Sequence, residues 1–376
     1  MPFTLAEQCC YHGGKWGGGC RSGVLRSKLS DVSPEGPEPA GGASRPRPSA
    51  IHSDSADPPV FAALDLGTNN CRLLIAEPAR HGTFRIVDAF SRIVRLGEGL
   101  ASHGRIAEAA IERTIDALQV CAGRMRRRRV THIRAIATEA CRRAANGADF
   151  LSRALTETGI ALEVISPAEE ARLAVAGCTP LLDPDRRRAL VFDIGGGSTE
   201  LAWLSVKGPD RAEMLDWMSM PLGVVTLAER FGGIEVDDRV YDQMVAEVRE
   251  ALGPFAARYS VAEAEKGHGF QLLGTSGTVT TLAAVRMNLP RYDRTRVDGS
   301  WMTKAEIERV ISDIRAMSFD RRAANPCIGR DRADLVLAGC AILEAILEAW
   351  PERRLRIADR GLREGVLMGL MAGTGA

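Results

Sequence analysis

The chain has 376 residues, 45% of them hydrophobic and 26% charged, with 49 Lys and Arg against 48 Asp and Glu. That length exceeds one ordinary core and predicts two domains of a globular protein. A net charge of +1 gives no global pull toward nucleic acid or membrane, and no apolar run reaches 18 residues. The nine cysteines contain no CxxC pair, which fits reduced cytosolic thiols better than a disulfide framework. The N-terminus lacks the apolar core of a signal peptide. The expected location is the cytoplasm, with neither a membrane nor a specific nucleic acid as partner.

Residues 1–58 are rich in Gly, Pro and Ser and carry almost no apolar periodicity, which is disordered or linker composition. Cys9, Cys10, His12 and Cys20 lie within this stretch, but their spacing matches no standard zinc pattern. The extension is expected to be dispensable. Order begins near residue 59 with FAALDLGTNNCRLLIA (61–76), two apolar runs joined by a short polar turn that contains Gly67. This reads as strand–turn–strand. A further strand (FRIVDAFSRIVRL) follows, then a helix from about Ile106 with Ile111, Ile115, Leu118 and Ala122 at helical spacing. That helix ends in Arg126–Arg129, four cations that suit a solvated C-terminus.

THIRAIATEA reads as a strand entering a turn, followed by the helix DFLSRALTETG and the strand ALEVISP. Ser166 and Glu169 form a capping-box pattern at the start of the next helix, SPAEEARLAVAG. LVFDIGGGSTELA (190–202) then repeats the opening plan, with Asp193 before Gly195, Gly196 and Gly197. A third glycine joint, LLGTSGTVTTLAAV (272–285), also follows a strand-like run. Helices are expected around Asp237–Tyr259 and near 303–317 and 333–350, with RLRIAD and GLREGVLMGL closing the chain. Alternating strands and helices predict an α/β protein. The matched copies around Asp65 and Asp193 suggest two similar domains, 59–184 and 185–376, facing one cleft.

Glycine-rich joints let backbone N–H groups approach an anion without hindrance from Cβ. Gly67, Gly195–Gly197 and Gly274–Gly277 could therefore cradle phosphates, with Thr68, Asn69, Ser198, Ser276 and Thr278 adding polar side chains. Asp193 and Glu200 beside such a nest could hold Mg²⁺ through oxygen, with Asp65 across the cleft. Arg142, in the ATEACRRA turn, is the side chain expected to touch phosphate.

DLGTNNCRLL (65–74), VRLGEGL (94–100), ATEACRRA (137–144), EEARL (169–173), FDIGGGSTEL (192–201), LGTSGTV (273–279) and ADRGLREGVL (358–367) occur in this order. Together they resemble the exopolyphosphatase / guanosine pentaphosphate phosphatase (Ppx/GppA) family of the actin-like ATPase superfamily. The resemblance covers about residues 60–370. It implies two actin-like (ribonuclease H-like) domains, and the terminal helix is allowed to return to the first. It also implies hydrolysis of the terminal phosphate of polyphosphate, or of the 5′ γ-phosphate of the guanosine alarmone pppGpp, with Mg²⁺ or another divalent cation. By the family's pattern Glu170 is the catalytic base, and Asp193 and Glu200 are the essential carboxylates. A homodimer is compatible with it. No HD-type domain is expected, because the last histidine is His268. A non-catalytic alarmone or nucleotide sensor and an ATP-dependent phosphotransferase are the rival readings. TEACRR departs from the commoner form of its turn and leaves the role of Glu139 open. Asp359, Arg363 and Glu364 read as a structural salt-bridged turn.

Overall fold

The computed structural model describes residues 58–80, 83–259 and 269–374. The N-terminal extension up to residue 57, with Cys9, Cys10, His12 and Cys20, lies outside the described residues, as does His268. The described residues fall within one unit, Ser55–Ala376.

Two mixed sheets repeat one plan. The first is built from β1 (Phe61–Leu66), β2 (Asn70–Pro78), β3 (Phe84–Ile93), β4 (His132–Ala137) and β5 (Glu163–Val164), in the order β3-β2-β1-β4-β5. The second uses β6 (Arg188–Ile194), β7 (Thr199–Gly208), β8 (Arg211–Met220), β9 (Phe270–Thr275), β10 (Trp301–Thr303) and β11 (Arg354–Ala358), in the order β10-β11-β9-β6-β7-β8. Each begins with an antiparallel meander and then adds a parallel strand beside its first strand, β4 beside β1 and β9 beside β6. The apolar runs FAALDL and RALVFDI are buried nearly throughout, as strands covered on both faces must be. This is the α/β architecture that the alternating pattern predicts.

Helices Glu108–Arg127 and Gly147–Thr158 cover the outer face of the first sheet through Ile111, Ile115, Leu118 and Phe150. Arg126–Arg129 are exposed at the end of the first of these helices. On the second sheet, Asp238–Arg258, Gly277–Arg286 and Val336–Ala349 bury Tyr241, Val248, Leu282, Ile342 and Ile346 in the largest core cluster. Between the sheets lie helix Pro167–Cys178 and the terminal helix Leu362–Thr374, packed against each other. The terminal helix returns to β1, β2 and β4, burying Val366, Leu367 and Met371 against Phe61, Ala63 and Leu74. Helix Pro167–Cys178 sets Val175 and Cys178 on the inner face of the second sheet.

The two inner helices cross where glycine is required. A Cβ on Gly177 would fall 2.0 Å from the Gly361 carbonyl oxygen, and one on Gly365 would fall 2.1 Å from that of Leu173. Both obstacles are backbone, so neither can give way cheaply. This crossing brings the start of helix Pro167–Cys178 and the 359–364 segment to the same cleft.

Three local expectations change. The strand read over ALEVISP shrinks to Glu163–Val164, because Ser166 caps the next helix and Pro167 opens it. The capping box is only half made. Ser166 Oγ accepts from the Glu169 N–H at 3.2 Å, but the Glu169 carboxylate turns to Arg134 and Arg172. Strands β8 and β10 have no counterpart in the sequence reading.

Candidate active site

The two hairpin turns meet head-on. A Cβ built on Gly196 would lie 3.0 Å from Thr68 Cβ and 3.1 Å from the Asn69 backbone nitrogen, and one on Gly197 would lie 2.7 Å from Thr68 Oγ1. The cleft there is a cavity of about 90 Å³ lined by residues of both sheets. Hairpin register fixes what each strand presents. Asp65 pairs across β1–β2 with Arg72, and Asp193 pairs across β6–β7 with Glu200, so each pair shares one face of its sheet. Glu200 Oε1 accepts from Ser219 Oγ on β8 at 2.7 Å.

Glu170 enters from the first turn of helix Pro167–Cys178 and lines the same cavity. Its Oε2 accepts from Arg142 Nη1 at 2.9 Å. That nitrogen also donates to the Ile165 carbonyl at 2.8 Å, while Arg142 Nη2 and Nε donate to Glu139 Oε2 at 2.8 and 3.3 Å. Helix Gly277–Arg286 points its N-terminus at the cleft from the third joint, where its cap Ser276 sits at φ 84°, a strained conformation for a residue with a side chain. Ser276 Oγ donates to the Ile194 carbonyl at 2.8 Å.

Asp65, Gly67, Thr68, Asn69, Glu170, Asp193, Gly195, Gly196, Gly197, Ser198, Glu200 and Ser276 all line the cleft cavity. Gly277 and Thr278 line an adjoining cavity that shares Asn69, Arg72, Gly195, Gly196 and Ser276 with the first. Gly274 lines neither. A Cβ there would fall 2.6 Å from the Phe192 ring, so this glycine serves packing of β9 on β6. Arg142 stands behind the cavity wall in the free protein. It does not line the cavity, because Glu139 and Glu170 stand in front of it and occupy its guanidinium.

Sequence reading missed Arg72, which lines both cavities and lies in the quoted DLGTNNCRLL run, opposite Asp65 by hairpin register. It also undersold the 359–364 segment. That stretch is salt-bridged as expected, Arg294 to Glu364 at 2.6 Å and Arg360 to Asp298, and it forms one wall of the cleft as well.

Burial is the leading influence on the acids. It raises Asp65, whose ionised form is helped by Arg72 and Arg363. It lifts Asp193 to about 6 against the pull of Arg72. Burial, then the neighbouring Asp193 charge, raise Glu200, and the Ser198 and Ser219 hydroxyls oppose them. Burial, then Glu200, also raise Glu170, although Arg142 bonds its carboxylate directly. Seven acidic side chains line this cavity against three arginines, Arg72, Arg360 and Arg363. A polyanion would enter such a site only with added cations.

A profile of the Ppx/GppA phosphatase family matches residues 74–373. The chain belongs to the Ppx/GppA phosphatase family. It is 32% identical over 326 residues to exopolyphosphatase 2 of Mycobacterium tuberculosis, covering 82% of this chain and 98% of that protein. It is 30% identical over 315 residues to the guanosine-5′-triphosphate,3′-diphosphate pyrophosphatase of Aeromonas salmonicida, covering 83% of this chain and 60% of the relative's length. The crystal structure of the Aquifex aeolicus Ppx/GppA family member superposes with a TM-score of 0.68 at 30% identity, over 85% of this chain and 99% of that one. An exopolyphosphatase from Cytophaga hutchinsonii gives 0.74 at 26% identity, over 84% and 98%. The fold is therefore the actin-like one of the Ppx/GppA proteins.

The family's divalent cation meets a mixed fit. Among the described residues no group of three or more His, Cys, Asp or Glu side chains is arranged to hold a metal ion, so Asp65, Asp193 and Glu200 are not a ready-made triad. Mg²⁺ needs less than that, commonly one or two carboxylates plus water and substrate phosphates. The cross-strand pair Asp193–Glu200, two hard oxygen donors on one face of the sheet and both lining the cleft, meets this smaller requirement. No candidate helix of the described residues is long and apolar enough to cross a membrane.

Proposed function

We propose that the chain is a phosphohydrolase that releases the terminal phosphate of linear polyphosphate, the 5′ γ-phosphate of pppGpp, or both. The observation that carries this reading is the cleft where two glycine turns abut and Glu170 stands at the wall. Backbone N–H groups of the turns and the Gly277–Arg286 helix N-terminus cradle the phosphates. Arg72 neutralises part of their charge. Glu170, fixed by Arg142, accepts the proton of the attacking water as its oxygen bonds to the terminal phosphorus and the bridging oxygen departs. Asp193 and Glu200 would hold a Mg²⁺, which when bound would supply charge neutralisation. The two lobes, 59–184 and 185–376 with the terminal helix returned to the first, frame the cleft. The cytoplasm is the proposed location, and a homodimer remains compatible.

Phosphate release from polyphosphate and from pppGpp, each with Mg²⁺, tests the reading. Turnover is expected with at least one of them, and Glu170→Gln should lower kcat by about 10²–10⁴ while substrate affinity survives. Wild-type protein that binds both substrates and turns over neither would establish the sensor reading instead.

A further inference from the structure

Glu139 is the one acid at the cleft whose charge is spent on a guanidinium of its own short helix, Glu139–Arg143. Its side chain is 13% exposed, and it lies between Arg142 and the cavity. Arg142 has five N–H donors. Two on Nη1 are taken by Glu170 and the Ile165 carbonyl, and Nε and one on Nη2 by Glu139. The Nε/Nη2 edge is the fork that otherwise receives a phosphate, since carboxylate and phosphate present similar oxygen pairs to it. The position of Glu139 also adjoins the second glycine turn, its Cγ lying 3.0 Å from where a Gly197 Cβ would be. An anion in that position would meet the Arg142 fork on one side and the turn on the other.

Resting on the phosphohydrolase reading of the cleft, we propose that Glu139 is a resident stand-in for phosphate. It occupies the outer fork of Arg142 in the free protein, and an entering phosphate group displaces it. The Glu170 and Ile165 bonds hold the guanidinium in place during the exchange. Arg143, exposed on the same helix with Nε 3.8 Å from Glu139 Oε1, receives the displaced carboxylate. Glu139 thus sets how tightly the cleft takes anions, and Arg142 serves first as a positioning residue for Glu170 and then as a phosphate ligand.

A competitor that must leave before the ligand binds lowers apparent affinity by the fraction of time the site is free. Tripolyphosphate binding by calorimetry, with Mg²⁺ at low temperature, is measured for wild type, Glu139→Gln, Glu139→Ser, Arg142→Gln and the Glu139→Gln/Arg142→Gln double variant, with a thermal melt for each. The expected result is about tenfold tighter binding in both Glu139 variants, and no such gain when Arg142 is already Gln. A gain of equal size in the Arg142→Gln background would overturn the proposal, because loss of one negative charge would then explain it. Unchanged or weaker binding in both folded Glu139 variants would overturn it too. Absence of tripolyphosphate binding in wild type and in both folded Glu139 variants would overturn the inference, whereas the phosphohydrolase reading is decided separately by turnover of polyphosphate and pppGpp.

Discussion

In the first hairpin Asp65 faces Arg72 across the strands, and in the second Asp193 faces Glu200. One pair joins opposite charges and the other two like charges in a buried place, with Arg72 of the first also drawing on Asp193. Their turns differ similarly. A Cβ on Gly67 would meet only the Asn70 carbonyl oxygen at an ordinary 3.7 Å, whereas Gly196 is wedged against the opposite turn. The same chain plan therefore yields a supporting lobe and a reactive one. Two like charges side by side and a tightly wedged glycine both sit on the second hairpin, which is where a cation and a phosphate have something to gain.

The largest expected effect separates the two aspartates. Asp193→Asn should cut phosphate release by about 10²–10⁴-fold, the scale of losing a metal or transition-state charge contact. Asp65→Asn, whose partner is an arginine, should cost about tenfold. Raised Mg²⁺ should recover part of the Asp193→Asn loss. Steady-state rates of both variants decide this, and equal losses would erase the distinction.

The pH response of Asp193 follows next. Its folded value of about 6 lies above the ordinary 3.8, so the folded protein binds this proton more tightly than the unfolded chain does. The associated stability is full below about pH 4 and is lost as pH rises through about 6. That amounts to on the order of 3 kcal/mol. Chemical denaturation between pH 4 and 8 should show stability falling over this window, and Asp193→Asn should flatten the slope. Activity should run the opposite way, rising with pH as Asp193, Glu200 and Glu170, all raised by burial, lose their protons. A stability curve unaffected by Asp193→Asn would remove burial as the cause.

A smaller difference lies in the turns. Gly223 supports the second one, and a Cβ there would fall 2.5 Å from the Gly196 carbonyl group. Gly223→Ala should destabilise by about 1–3 kcal/mol, the usual cost of overpacking against atoms that cannot move. Gly67→Ala should stay within about 0.5 kcal/mol. Melting temperatures of the two variants test the contrast, and similar shifts would mean that both turns are equally free.

Much of the site was legible because it is local. Strand–turn–strand spacing sets which residues lie opposite, so Asp193 and Glu200 on one face follow from the run FDIGGGSTE itself, and so would Arg72 opposite Asp65 had that register been followed. The apolar runs likewise determined the α/β order and the helices around the core. Glu170 stood in the first turn of a helix marked by Ser166 and Pro167.

What the sequence could not decide depends on elements brought together from far along the chain. Arg142 reads as a free cation beside a turn, yet Glu139 and a carboxylate 28 residues later claim its donors. Gly274 reads as a phosphate joint, but the Phe192 ring of the neighbouring strand fills the space above it. The 359–364 segment became a cleft wall only because Gly177 and Gly365 let two helices cross at backbone contact. Backbone register is a short-range property with period two. The direction of a long side chain, and the space left beside a glycine, are settled by packing and charge from residues that only the folded chain makes neighbours.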